Sequence, residues 1–277
     1  MLKNIHNTNI NFTNRIIKKP KFTSHIPTNI KLKDIVLVYN DGKVWKIVPI
    51  KILLRYPIIY DKYYDMIRTK NGKYIISTIS ITYCPYTSCG LIYFGKYVPT
   101  GEVYNNNIIL TNKKNQSSEI MAQMIGTLYS RKTNKPVPGV IRREETKIMT
   151  LRNALGKYPD CMYLHKTSNS DIKPIVGMDY IKKDKIYYPI TNESIRYHPK
   201  TIVYGIEYIK DAQDKYSVIV GDDATKNKSG GQDYKKAKYD LYFEKKIEDI
   251  RDRSGIIIPV YWFAWYSMHP KARVVKL

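Results

Sequence analysis

Cysteine is nearly missing from this chain. Three residues, Cys84, Cys89 and Cys161, stand among 277. That is too few for a disulfide scaffold, and the odd number leaves a thiol unpaired. Acidic side chains are also scarce, 24 against 47 basic ones, for a formal charge of +23. A surplus of this size favours an anionic partner: nucleic acid, an acidic protein or an anionic membrane surface. No stretch approaches about eighteen uninterrupted apolar residues, so no membrane span is expected. The opening residues, MLKNIHNTNINFTNRIIKKPKF, lack the apolar core of a signal peptide, and the expectation is a soluble intracellular protein. Phenylalanine and tryptophan are few, 5 and 3, whereas tyrosine reaches 26. The glycine-rich stretch GDDATKNKSGGQDYKKAKYD lacks the spacing of a phosphate-cradling P-loop and reads as a basic loop.

What is present is a series of β-branched runs. Residues 1–33 hold seven Lys or Arg and no acid. They read as an irregular basic arm, residues 1–31, whose removal leaves the fold intact. Two β-rich runs around Asn40, Asp41 and Gly42 predict a hairpin. KILLRYPIIYD then predicts a short helix stopped by Pro57. KYIISTISITYC is the strongest strand in the chain, alternating and unbroken. GLIYFGKY, NIILTN and MIGTLYS are further strand candidates. In TLRNALGKYPD, Leu151, Ala154, Leu155 and Tyr158 share one helical face ahead of Pro159, and CMYL follows as a strand. YWFAWYSMHPKARVV repeats that ending, with Trp262, Trp265, Tyr266 and His269 at the same offsets before Pro270. The pair TIVYGIEY and KYSVIV matches the first hairpin. The fold expected is therefore β-rich α+β with an imperfect internal duplication. A first repeat covers 32–165, a polar connector with its own tyrosine-rich strand covers 166–197, and a shorter second repeat covers 198–277.

Cys84 and Cys89 bracket the turn in ITYCPYTSCG. A metal site there needs further ligands, and Cys161 with His165 would complete the set. A redox pair is the other chemical option, although C-x4-C lacks the C-x-x-C geometry that lowers a thiol pKa. A strand ending in a turn is the simplest reading. Tyr104 and Asn106 lie in a polar stretch that either lines a cleft with Cys84 or forms a turn, since asparagine tolerates left-handed backbone. Trp262, Trp265 and His269 read as core and helix end. Glu144 and Glu145 are adjacent and point apart, with no partner visible in the sequence. Basic clusters recur at Lys18, Lys19 and Lys21, at Arg131, Lys132 and Lys135, at Arg142 and Arg143, and at Lys235, Lys236 and Lys238. Tyrosines are interleaved with them, a combination suited to weakly sequence-dependent nucleic-acid binding. No helix-turn-helix, zinc finger or aromatic RNA-binding signature accompanies them.

ITYCPYTSCG, GEVYNNNIIL, MAQMIG, LRNALGKYPDCMYL and YWFAWYSMHPKARVV, in this order, resemble landmarks of the domain-of-unknown-function 3179 family. The resemblance covers about 32–165 well and 198–277 in part. It implies a β-rich α+β architecture and no established reaction. Family members usually carry Trp-His-Glu after the first hairpin, where this chain has Arg55, Tyr56 and Pro57. Any inherited chemistry that used that histidine is lost here. The abundance of Ile, Lys, Asn and Tyr resembles proteins of large AT-rich DNA viruses. Together these features predict a non-enzymatic basic protein, without cofactor, that associates with nucleic acid or with an acidic protein of a virion. The alternative is a residual redox or metal-dependent activity centred on Cys84 and Cys89.

Overall fold

A computed structural model of the chain describes residues 2–68, 74–114, 118–165, 172–177, 180, 183–208, 216–220 and 256–276. In chain order the first strands are β1 (Ile5–Asn7), β2 (Ile16–Ile17) and β3 (Phe22–Thr23). The hairpin β4 (Ile35–Asn40) and β5 (Trp45–Pro49) follows, then the single-turn helix α1 (Ile50–Leu53). A run of strands comes next: β6 (Ile58–Arg68), β7 (Tyr74–Cys84), β8 (Cys89–Phe94), β9 (Tyr97–Tyr104), β10 (Asn107–Asn112), β11 (Glu119–Ala122) and β12 (Tyr129–Ser130). The first half closes with β13 (Arg143–Glu145), β14 (Lys147–Thr150), α2 (Leu151–Lys157) and β15 (Met162–Leu164). The second half contributes β16 (Ile202–Glu207), β17 (Tyr216–Val220), β18 (Ile256–Tyr261), α3 (Trp262–Met268) and β19 (Arg273–Lys276).

These elements build four sheets. Two of them are copies. One has the order β14-β4-β5-β15-β3 and the other β18-β16-β17-β19. In each, a hairpin is flanked by an antiparallel strand that runs directly into a helix. The strand after the helix then returns parallel to the hairpin's second strand. The registers agree residue by residue: Ile35 faces Thr150 as Ile202 faces Tyr261, and Met162 faces Lys46 as Arg273 faces Ser217. The helix ends agree as well. The closing residues are Tyr158 at φ −131, ψ 70 and His269 at φ −130, ψ 61, each donating its backbone N–H four residues back. A proline follows both, so neither helix can continue. The duplication is a property of the fold.

Between the two copies lie the sheets β13-β8-β7-β6-β2 and β1-β9-β10-β11-β12. The largest core cluster joins them to the second repeat, from Ile59, Ile81 and Leu91 to Val203, Val260 and Trp262. The first repeat's helix has its own core of Val36, Val38, Ile47, Leu151, Ala154 and Cys161.

Two expectations are corrected. Residues 1–31 are not an irregular arm. They place β1 beside β9, β2 beside β6 and β3 beside β15, and they bury Leu2, Phe12, Ile17 and Ile30. Each strand is two or three residues long, too short to show periodicity, and exists because a longer edge offers it hydrogen bonds. The short helix expected ahead of Pro57 is present as the single turn α1, and IIYD after the proline enters β6. The tyrosine-rich connector forms no strand among its described residues; it makes turns that lie on the neighbouring sheet.

Candidate functional site

The cysteine turn closes the β7–β8 hairpin, and Cys84 and Cys89 face each other directly across it. Both are fully buried and unbonded to one another. The Cys84 thiol donates to the Asn106 carbonyl and accepts from the Ile108 N–H, each at 3.4 Å. Burial pushes its pKa up, and hydrogen bonds from Thr87 and nearby backbone only partly offset this. Cys89 is raised further, first by burial and then by Cys84 beside it. Nucleophilic attack and soft-metal ligation both use the thiolate. Burial at this turn favours the protonated form.

The β9–β10 turn meets both readings of its asparagines. Asn105 and Asn106 take φ 48° and 62°, the left-handed conformation of a turn. Their side chains, however, reach inward. Asn106 exchanges two hydrogen bonds with the Tyr188 backbone, at 2.7 and 2.9 Å. Asn105 donates to the Thr191 hydroxyl at 3.0 Å and accepts from the Thr191 N–H at 2.9 Å. Asn107 donates to Thr87 and to Gln123, and Gln123 donates onward to Thr82 and the Cys89 carbonyl. Tyr104 is not part of this network; it packs against Leu2 and Ile109.

The connector covers the cysteine turn. Tyr180 donates to the Tyr86 carbonyl at 2.9 Å, and the rings of Tyr180, Tyr187 and Tyr188 all meet Tyr86 edge-on. Behind Tyr180 lies Lys200, 2% exposed. Its ammonium sits 3.5 Å from the centre of the Tyr180 ring and donates to the Tyr180 and Lys183 carbonyls. Burial lowers its pKa to about 8, with Asp184 pulling the other way. Nothing in the sequence signalled this lysine, since its burial depends on the path of residues 180–184. The segment aligned with the family's Trp-His-Glu lies beside the same strand: the Pro57 carbonyl accepts from Tyr83 N–H at 2.8 Å, and Tyr56 is buried.

The residues considered for a metal are spread apart. Cys161 lies in the first repeat's separate core, donating to the Tyr163 hydroxyl at 3.3 Å. His165 is exposed at the end of β15. Among the described residues no group of three or more His, Cys, Asp or Glu gathers. A cleft of about 180 Å³ opens elsewhere, between Asn40, Trp45, Tyr63, Glu144, Glu145 and Lys147. Burial raises the Glu144 pKa, while Glu145 accepts from the Ile257 N–H at 3.3 Å.

Of the basic clusters, Lys18, Lys19 and Lys21 are exposed on the link between β2 and β3, at the edges of two sheets. Lys132 and Lys135 are exposed beside β12, the edge of a third. The arginines are engaged within the fold. Arg131 pairs with Glu102 at 2.5 Å, and Arg142 pairs with Asp65 at 2.9 Å while lying 3.7 Å over Phe94. Arg143 is largely buried, pairs with Glu207 and donates to the Met124 carbonyl. Lys235, Lys236 and Lys238 fall outside the described residues.

Comparison with known families returns one model, described as Protein of unknown function (DUF3179), over residues 16–257. The chain belongs to the DUF3179 family. No curated protein and no solved structure matches it. The DUF3179 match takes in the cysteine turn, the asparagine turn and both hairpins, and it ends in β18 ahead of α3. Among the described residues no helix is long and apolar enough to cross a membrane.

Proposed function

We propose that this DUF3179 protein is a non-enzymatic binding protein whose partner is nucleic acid, held by exposed lysines through its phosphates. The observation that carries this reading is how the charges are divided. Arg131, Arg142, Arg143, Lys46 and Lys51 are matched by acids of the same chain. Lys18, Lys19, Lys21, Lys132 and Lys135 are exposed and have no acidic partner among the described residues. Compact, strongly hydrated lysine ammoniums suit backbone phosphates better than base reading. The buried and protonated state of Cys84 and Cys89 works against the redox or metal-dependent alternative. The abundance of Ile, Lys, Asn and Tyr fits a viral source, and with it a nucleoprotein or virion setting.

The test is a salt series of binding to random-sequence DNA, followed by fluorescence anisotropy. Affinity should fall steeply with salt and vary little with sequence. Replacing Lys18, Lys19 and Lys21 by alanine should flatten the logarithmic salt slope by roughly 2 to 3. No binding at about 50 mM salt, where such contacts are strong, rejects the reading.

A further inference from the structure

The two repeat sheets match strand for strand except at one edge. In the first repeat, β15 is covered by β3, with Tyr163 opposite Thr23 and Leu164 opposite Phe22. The His165 N–H donates to the Lys21 carbonyl at 2.7 Å and extends that pairing. The equivalent strand of the second repeat is β19, and among the described residues nothing pairs with its outer side. The side chains record the difference. Tyr163 and Leu164 are 2% and 1% exposed, whereas their counterparts Val274 and Val275 are only half-buried. By the shared register, Val274 and Lys276 take the places of Tyr163 and His165. Their backbone groups therefore face outward, away from β17.

An open edge is a template for another strand, and the sequence states which one it fits. The strand and its approach read KARVVK, three cations and no acid. Two copies laid antiparallel along this edge would set like charges against each other, which disfavours self-pairing. Opposite charges flanking β-branched residues would complement it. We propose that the outer edge of β19 is a docking site for an extended acidic segment of a partner protein, added as an antiparallel strand beside residues 274–276. It would occupy the position that β3 holds in the first repeat. This inference stands independently of the nucleic-acid reading, because it rests on backbone pairing and local charge alone.

The full chain is tested with three fluorescein-labelled peptides: EVTVTVE, its lysine counterpart KVTVTVK, and EVTVTVE methylated on alternate backbone nitrogens. The acidic peptide should bind about tenfold or more tighter than the lysine peptide, and methylation should abolish binding. Val274→Pro removes one outward N–H from an edge position where proline is tolerated. It should lose the peptide while keeping the circular dichroism spectrum and melting temperature. Hydrogen exchange on the wild type covers the case in which that variant fails to fold. The amides of Val274 and Lys276 should exchange quickly in the free protein and slowly with EVTVTVE, while that of His165 is protected throughout. Equal binding of both peptides, no binding, or binding that protects neither amide overturns the proposal. Protection in the free monomer would mean that the chain covers its own edge. Protection that grows with protein concentration would mean that a second copy does. Either outcome also overturns it.

Discussion

The two repeats share one topology and one register but fill their cores in opposite ways. In the first, the strand position facing the helix carries Val38 and the helix carries Ala154; both belong to that repeat's core. In the second, the equivalent positions are Gly205 and Trp265. A Cβ on Gly205 would lie 2.1 Å from the Trp265 ring. The bulk has moved from strand to helix, and the missing Cβ of Gly205 leaves the space that the Trp265 ring fills. A second exchange preserves a ring-stacking contact. Trp45 stacks on Tyr158 at 4.1 Å in one copy, and Tyr216 stacks on His269 at 3.9 Å in the other, with the same 29° between planes. Polarity is where the copies part. Lys46 binds Asp41 and Asp61, both at 2.7 Å, and Tyr39 donates to Asp61. The matching positions in the second repeat are Ser217 and Ile206, and Ser217 shares a hydrogen bond with the Tyr208 hydroxyl at 2.9 Å. Backbone geometry is thus shared between the repeats, while among the described residues the lysine–aspartate lock on the hairpin belongs to the first.

The sharpest break in that comparison is deletion of residues 1–31, which strips β3 from one repeat and touches nothing equivalent in the other. Four buried apolar side chains leave with it. At about 1.5–3 kcal/mol each, the loss is roughly the whole stability of a typical domain. The truncated protein should be largely unfolded by circular dichroism. A folded truncation with an unchanged melting temperature would contradict the strand pairings described above.

Gly205→Val imposes the first repeat's residue on the second. It should cost about 3 kcal/mol or more by urea unfolding, since the ring cannot yield. Gly205→Val with Trp265→Ala recreates the pairing of Val38 and Ala154. The double variant should be more stable than the two single effects added together, with a coupling of about 1–3 kcal/mol. Strict additivity would refute the size exchange.

Lys46→Met leaves the buried Asp41 and the half-buried Asp61 without their cation and should cost about 3 kcal/mol. The pH dependence has a definite sign. Burial opposes the Lys46 charge, but hydrogen bonds to Asp41 and Asp61 outweigh it, so the pKa is raised in the folded state. Its contribution is complete below the unfolded lysine value of 10.5 and disappears as pH climbs through the folded value. Urea midpoints measured from pH 8 to about 11.5 should show the gap between wild type and variant closing only above 10.5. The smallest effect is expected at Thr150, whose hydroxyl accepts from the Asn153 N–H at 3.3 Å and caps α2. Thr150→Ala should cost about 1 kcal/mol. The equivalent Tyr261 makes no such cap, so Tyr261→Phe should leave the start of α3 unaffected.

Much of this was legible in the sequence because it is local. Asn40, Asp41 and Gly42 announced a hairpin, and Gly42 does sit at φ 91° with no room for a Cβ, 2.0 Å from the Tyr64 carbonyl oxygen. The helix-proline-strand endings were readable from apolar spacing. The cysteine turn and asparagine turn were each identified, and the structure brings Cys84, Cys89 and Asn106 together. What could not be read depends on contacts distant in sequence. The strands β1, β2 and β3 carry no periodicity of their own. The burial of Lys200 is created by Tyr180 and Lys183, and the pairing of Arg143 with Glu207 spans the two halves. Arg131, Arg142 and Arg143 looked alike as surface cations because the acids that claim them lie 29 to 77 residues away.

The pairing of β3 with β15 also has a consequence for how the chain is made. Phe22 and Thr23 are synthesised well ahead of their partner strand, which ends at Leu164. At about 5–20 residues per second the ribosome needs several seconds or more to supply it. During that interval β3 has no edge to join, and the hairpin of β4 and β5 waits a somewhat shorter time for β14. Contacts this far apart in sequence slow folding and prolong the exposure of unpaired strands. The first repeat is therefore the last part of the amino-terminal half to close.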